Sequence, residues 1–446
     1  MPYRILILAV CFPFVLRAQT GEKPLTLKEA SHRMLQENPT LQIARQAVDM
    51  ARNERRKLNA WWYPSLNASG VKVHLSNEIS VDALLFSLPL LKRNLTTVDA
   101  NVEWPLFTGG RRVWASRIGS QMVRLAQTGS EETAALLQTE LVEAYYGLRL
   151  STRVEEVRRE AYHSLKRHYE DALKLEANGM ATKAERLFAQ VSMEEARREW
   201  ESAGKERGVA EETLRTLLGG ANDSLRICPS SPLFLSAEIP PLPYFKSLIA
   251  TDAYAVSKLR VEEAIAHNRQ KISRSAYLPT VALFGKHTLY ANNLPRHLMP
   301  RTLVGIGFTW NLFDGWNREA DVRLAGLSRQ SLTLGRKKAE DELTVGVDKL
   351  YSQLEDAQDE VRTLATTIEM SRELVRIRRQ SFAEGMATGS EVIDAEVMLS
   401  KVRIAMLAAY YQFDVALASL CSLCGVPELF WELMENSPQI TQISTD

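Results

Sequence analysis

The chain is short of charge of either sign in excess, of cysteine and of catalytic signatures. Its 446 residues carry 55 Lys and Arg against 54 Asp and Glu, a net charge of +1. It therefore lacks the basic excess of a general nucleic-acid surface, and nucleic acid is not expected as a partner. Of four cysteines, Cys11 lies in an N-terminal apolar run, and Cys228, Cys421 and Cys424 are an odd number that offers no disulfide framework. Cys421 and Cys424 have the spacing of a redox or metal pair. They close a helical heptad pattern, however, and a repeat described below places Arg215 and Leu218 at their equivalents, which suits two small apolar residues at a helix end. His163 and His168 are five apart and cannot share a helix face as an i, i+4 zinc pair does. His-Glu-x-x-His, a P-loop and Gly-x-Ser-x-Gly are all missing. No catalytic residue, metal or other cofactor is expected, and an enzyme is the disfavoured class. Beyond the first twenty residues, no stretch reads as a membrane-spanning helix.

The start is different. Arg4 precedes an apolar run from Ile5 to Leu16, with the small residue Ala18 after it, the pattern of a secretory signal peptide over residues 1–19, cut after Ala18 or Gln19. Arg17 beside the cut is unusual, and an uncleaved anchor is the alternative. A lipoprotein site at Cys11 is disfavoured by the bulky Val10 before it.

Gly179-Met180-Ala181-Thr182 recurs as Gly385-Met386-Ala387-Thr388, a shift of 206 that also carries Trp104 onto Trp310, Phe107 onto Phe313, Gly109 onto Gly315 and Gly219 onto Gly425. Pro64 maps onto Pro279 with a shift of 215, because the first copy has nine extra residues. The chain is a tandem duplication. Residues 20–219 form a first repeat, 220–245 a connector, 246–425 a second repeat and 426–446 a tail.

Each repeat predicts the same elements. Thr26 caps a short helix that Asn38-Pro39 ends, and a second helix runs from Thr40 to about Ala60, with its counterpart over Tyr254–Tyr277. Strands follow at Leu66–Leu75 and Val281–Tyr290. In the next strand Val98, Ala100, Val102 and Trp104 alternate with Asp99, Asn101 and Glu103; Val304, Ile306, Phe308 and Trp310 do the same in copy two. The β-hairpins span 66–106 and 280–310. Strict alternation suits either a strand between lipid and water or a half-buried strand of a soluble sheet. Glycine elbows at Gly109-Gly110 and Gly315-Trp316 then lead into stretches without proline until Pro229 and Pro427. Val347, Leu350, Leu354, Ala357, Val361, Leu364 and Ile368 mark a coiled-coil seam, as do Ala395, Leu399, Val402, Met406, Ala409, Phe413, Ala416 and Leu420. Leu137, Leu141, Tyr145 and Leu148 give a looser one in copy one. From elbow to turn is about seventy residues, a helix of about 100 Å at ~1.5 Å per residue. The return helix of about forty is too short to match it, so the helix before each hairpin must stack on it.

Four strands per chain cannot close a barrel, and an open sheet in lipid leaves unpaired edges. Three chains would supply twelve strands, wide enough for an aqueous lumen. The fold class is mixed α and β: a duplicated repeat whose trimer forms a twelve-stranded transmembrane β-barrel continued by a long α-helical barrel.

The residues that carry this pattern also resemble a known family. The segment from Trp104 to Arg111 (WPLFTGGR), its echo from Trp310 to Gly315, and the turn segment from Phe382 to Ala395 are similar to TolC-type outer-membrane efflux proteins over nearly the whole mature chain. The resemblance implies a homotrimer in the outer membrane of a Gram-negative bacterium, with its helices in the periplasm. It implies docking of the tip turns, 179–182 and 385–388, onto a periplasmic adaptor and an inner-membrane transporter, in tripartite efflux or type I secretion. It places gate residues at Glu391, Asp394, Glu185 and Phe382. Phe188 stands where Asp394 would recur, and Ala387 where a gate-locking Arg is expected; Lys183 and Arg186 are candidates to replace it.

Two readings of the acids stand side by side. Carboxylates gathered on a three-fold axis attract cations, whereas Glu391 and Asp394 also suit solvated acids favoured by a helix N-terminus. The tip turns likewise serve for docking, for chain reversal, or for both. A soluble periplasmic coiled-coil scaffold or adaptor without a pore is the alternative for the whole chain. The apolar stretch within Ser76–Thr97 packs over a barrel mouth, meets an external partner, or is a loop. The exported substrate is not legible.

Overall fold

The structure, a computed structural model, describes residues 23–77, 79–83, 86–91, 93–220, 227–233, 239–292 and 300–436. The expected signal peptide lies outside the described residues.

A short strand β1 (Lys23–Leu25) precedes α1 (Leu27–Glu37) and α2 (Pro39–Asn59). Thr26 closes a capping box with Glu29 at the start of α1, and Asn38 caps α2 by accepting from the Thr40 amide at 2.8 Å. Strands β2 (Ser65–His74) and β5 (Asn94–Thr108) flank a ribbon of β3 (Ile79–Ala83) and β4 (Phe86–Leu91). The apolar stretch 76–97 thus contains a small antiparallel hairpin. Helices α3 (Arg111–Ala177) and α4 (Lys183–Leu217) complete the first repeat.

After β6 (Ile227–Pro229), the second repeat runs through α5 (Leu242–Ile249), α6 (Tyr254–Ser275), β7 (Thr280–Asn292), β8 (Thr302–Thr309), α7 (Asn317–Ala383) and α8 (Gly389–Leu423). Both long helices have 67 residues and both return helices 35. At ~1.5 Å per residue the former reach about 100 Å.

The shortfall of each return helix is made up as its length requires. The Asn38 side chain donates to the Leu217 carbonyl at 2.9 Å, joining the end of α4 to the start of α2. At this junction Gly219 adopts a φ of +78°, and a Cβ there would lie 2.8 Å from the Glu37 carbonyl oxygen. In copy two Gly425 meets the α5–α6 junction still more closely, with a Cβ position 2.2 Å from the Asp252 carbonyl oxygen.

The sheet order is β2-β5-β7-β8, antiparallel throughout. The helices keep the same lateral order, since α3 lies against α2 and α4 on one side and α6 and α8 on the other, with α7 beyond. Each strand therefore continues a helical column. Among the described residues β2 and β8 each pair on one side only. The register puts Val98, Val102, Val304, Ile306 and Phe308 on one face. The opposite face carries Ser69, Asp99, Asn101, Glu103 and Lys286. Asp99 is buried there between Lys286, at 2.8 Å, and the Thr288 hydroxyl, at 2.7 Å.

The main core lies at the waist of the shaft, where Leu27, Met34, Tyr145, Phe245, Phe413 and Leu417 are buried together. The Tyr145 hydroxyl donates to Leu25 O at 2.6 Å and accepts from the Ser230 and Ser231 amides at 2.9 Å. It thereby ties the parallel β1–β6 pair to α3. One sequence expectation is filled in here and one is corrected. The tail 426–446 contains a helix, α9 (Pro427–Asn436), whose Phe430 enters this core. By length and composition, α8 does include a window apolar enough to cross a membrane, but half of that window is buried within the chain. Its apolarity fits a helix enclosed by its neighbours. Cys421 and Cys424 are buried on α8, and burial pushes both thiols up to about 12.

Candidate functional site

The far ends of the two helical hairpins are built by one seven-residue rule. α3 ends with Gly179 at φ +73°, which lets the Met180 amide turn back to Leu175 O at 2.8 Å. Thr182 then caps α4: its hydroxyl accepts from the Glu185 amide at 3.2 Å, and Glu185 returns a carboxylate to the Thr182 amide at 2.7 Å. The second tip repeats the geometry, with Gly385 at φ +73°, Met386 N bonded to Ser381 O at 2.8 Å, and Thr388 N donating to Glu391 at 2.9 Å. Met180 and Met386 stand out into solvent, 76% and 72% exposed.

Glu185 and Glu391, both expected at the gate, are thus the third helical residues of capping boxes. The Thr182 amide, then its hydroxyl, holds the Glu185 carboxyl below its ordinary range. For Glu391 the Thr388 amide does the same against a smaller desolvation cost, helped by Arg378, which lies 2.9 Å from the other carboxylate oxygen. The capping signal Thr-x-x-Glu is present in both copies and identifies this role from sequence. Asp394 is exposed and without an ion pair among the described residues, between the buried Ile393 and Ala395. Arg186 is tied to Glu176 across its own turn at 2.6 Å, and Lys183 is exposed. In copy one Leu187, Phe188 and Val191 form an exposed apolar patch.

Phe382 does not stand free. Its ring lies 4.8 Å from that of His168 on α3, and this contact opens a cluster that the sequence does not reveal. The Arg379 guanidinium donates to Glu396 at 2.7 Å and also reaches the Ser164 hydroxyl. Glu396 is buried, as are Ser164 and His168. Gly389 opens α8 against the His168 ring, where a Cβ would come within 3.1 Å of Nε2. Burial holds His168 below its ordinary pKa, with Arg379 adding to the effect and Asp171 and Glu396 opposing it. Beneath this cluster Leu165, Ala189, Met193 and Ile393 pack together. The result is a clasp between the first hairpin and the second. No helix in it has a local pattern that announces the contact.

At the other end of the shaft, elbows at Gly109-Gly110 and Gly315-Trp316 join strand to helix with positive φ. The Trp104 and Trp310 indoles donate to Trp62 O and Tyr277 O, each at 3.1 Å. Large aromatic side chains therefore lie at the base of the sheet in both repeats, the residue type enriched at membrane–water boundaries. Among the described residues no cluster of His, Cys, Asp and Glu has a metal-binding arrangement.

Comparison with known proteins agrees on one family. The family described as outer membrane efflux protein matches residues 30–220 and 252–426, well over half the chain. The alkaline protease secretion protein AprF of Pseudomonas aeruginosa is 23% identical over 295 residues, covering 65% of this chain and 61% of AprF. The match thus spans less than two thirds of that relative. Among solved structures, CusC aligns with a TM-score of 0.78 at 17% identity, over 90% of this chain and 92% of CusC. VceC of Vibrio cholerae gives 0.74 at 17% identity, over 90% and 96%.

Proposed function

The chain belongs to the outer membrane efflux protein family, and from that premise we propose that it is an outer-membrane channel, passing substrates from a periplasmic entrance to the outside. The observation that carries the reading is the four-stranded sheet. One of its faces is mostly apolar and exposed, the other mostly polar, and each outer strand has an edge unpaired among the described residues. Such a sheet is stable in lipid only when its edges close on other copies. Three copies joined β8 to β2 make a barrel of twelve strands over a tube of helices. Lumen-facing Asp99, Asn101, Glu103 and Lys286 favour a wet interior. A soluble scaffold or adaptor, the alternative, would leave Val304, Ile306 and Phe308 in water.

The tip turns are the natural docking surface for a periplasmic adaptor, which links the channel to an inner-membrane transporter. Their exposed methionines, and the patch at Leu187, Phe188 and Val191, supply adaptable apolar contact. Asp394 is the strongest candidate for an acidic entrance ring, because its carboxylate is exposed and has no ion pair among the described residues. Glu391 and Glu185 contribute charge while capping, and Phe382 narrows the entrance through its seat on His168. AprF is a protease secretion protein by name; that name favours secretion as readily as efflux for this chain.

Planar-bilayer conductance of the detergent-extracted protein tests the reading. Discrete cation-selective channels whose selectivity weakens in Asp394→Ala plus Glu391→Ala are expected. Recovery of the protein as a soluble monomer would overturn the assignment.

A further inference from the structure

The waist of the shaft holds a cavity that neither the tips nor the sheet use. It is a cleft partly open to solvent, of about 420 Å³, between α3, α4 and β6, within the range of about 300–1,000 Å³ usual for small-molecule sites. Its wall includes Arg149, Arg153, Arg159 and Arg207, against only Glu155 and Glu156. Those carboxylates are already engaged: Arg207 pairs with Glu155 at 2.5 Å, and Arg153 with Glu156 at 2.7 Å. Among the described residues Arg149 and Arg159 have no carboxylate partner.

Arg149 is the more informative of the two. One Nη donates to the Pro229 carbonyl at 2.9 Å, while its Nε is sealed from solvent without a hydrogen-bond partner among the described residues. Burial, and then the nearby Arg153, hold its pKa below the ordinary arginine value. A partly desolvated guanidinium with a sealed, unmet donor is favoured by an anion that completes it. Arg159 lies ten residues further along the same helix, about 15 Å at ~1.5 Å per residue. Two long side chains that far apart suit an anion larger than a single phosphate. Trp200, stacked on Tyr162 with ring centroids 5.5 Å apart, forms an aromatic wall for the remainder of such a molecule.

We propose that this cavity is a binding site for a small molecule bearing carboxylate or phosphate groups, anchored by Arg149 and Arg159. The site is separate from conduction and does not depend on the channel reading.

Cys228 lines the cavity and is exposed, whereas Cys421 and Cys424 are buried, so its thiol reports on occupancy. The reagent is 5,5′-dithiobis(2-nitrobenzoate). The Cys228 thiolate attacks one sulfur, a mixed disulfide forms, and coloured thionitrobenzoate leaves with the electron pair. The detergent-purified full chain is the sample, with Cys228→Ser as the blank and the uncharged 4,4′-dithiodipyridine as a second reagent. Citrate at ten times its dissociation constant should slow both reagents about tenfold, and sodium chloride at equal ionic strength should not. Arg159→Gln, an exposed position that leaves the fold intact, and Arg149→Gln should each weaken that protection. Protection by inorganic phosphate equal to that by citrate would show that one oxyanion suffices and would overturn the two-arginine anchor. Equal slowing by citrate, phosphate and chloride, or citrate protection that survives in both variants, would overturn the proposal.

Discussion

Four glycines at positive φ allow left-handed strain to be separated from steric exclusion within one chain. Gly179 and Gly385 both have φ +73° and nothing within 4 Å of where a Cβ would stand, whereas Gly219 and Gly425 have φ near +78° and a backbone carbonyl oxygen 2.8 Å and 2.2 Å away. Alanine at any of them incurs the left-handed cost of about 1–2 kcal/mol. At Gly219 and Gly425 the methyl must also displace the junction between two helices, which adds about 1–3 kcal/mol, with the larger share at 425. The expected order of loss is Gly179→Ala equal to Gly385→Ala, then Gly219→Ala, then Gly425→Ala. Thermal unfolding in detergent, followed by the helical circular dichroism signal, ranks the four. The junction positions should also disturb the waist, so protease should cut near residues 37 and 252 in those variants alone. If Gly425→Ala melts with Gly385→Ala, the close approach does not constrain the α5–α6 junction, and the account of how the return helices stack fails.

Three further outcomes follow from the clasp and the elbows. Arg379→Met strands the buried Glu396 carboxylate, so it should cost about 2–4 kcal/mol, whereas Glu396→Gln frees a half-exposed guanidinium to solvent and should cost about 1 kcal/mol or less; hydrogen exchange at the start of α8 reads the difference. His168 has a folded pKa below its ordinary 6.5, so the unfolded chain binds the extra proton more readily; the contribution is present above 6.5 and is lost as pH falls through the folded value. Protection of the second tip should therefore decline on acidification below 6.5, and His168→Phe should flatten that dependence; an unchanged profile would refute it. Trp316 sits at φ +69° where copy one has Gly110 at +83°. Trp316→Gly should raise the melting temperature in detergent by relieving about 1–2 kcal/mol of strain, while Trp316→Ala, which keeps a Cβ, should not.

The fold was legible where the physics is local and repeated. Absence of proline after Pro105 and after Pro300 specified two long helices, and alternation at Val98–Trp104 and Val304–Trp310 specified the strands, although β5 extends to Thr108. Elements too short for any period escaped: β1 and β6 have three residues each and exist only because they pair across the chain. α9 did carry a signal, with Pro427 at its start and Phe430, Leu433 and Met434 at helical spacing. The capping role of Glu185 and Glu391 was equally readable, because each lies three residues after a threonine. The clasp was not readable. Ser164 and Arg379 are separated by 215 residues, and a lone arginine on a charged helix looks like any solvated one.

The duplication is broken at the clasp, and the break bears on assembly. Applying the 206-residue shift, Ser164, His168, Arg379 and Glu396 correspond to Met370, Leu374, Leu173 and Gln190. The first set joins the two hairpins of one chain; in the closed ring proposed above, the second set would join hairpins of neighbouring chains. Met370 and Leu173 are 67% and 40% exposed in the single chain, as side chains awaiting a neighbour would be. A ring built this way would alternate a charged, directional junction within each chain with an uncharged one between chains, where Gln190 is the polar member. The clasp resists partial separation because the buried Glu396 carboxylate is penalised when left alone, whereas a seam made mostly of apolar contacts loses stability in proportion to the area exposed. Opening at the periplasmic end would then divide between the two kinds of junction, with the seam between chains yielding by degrees and the clasp releasing as a unit.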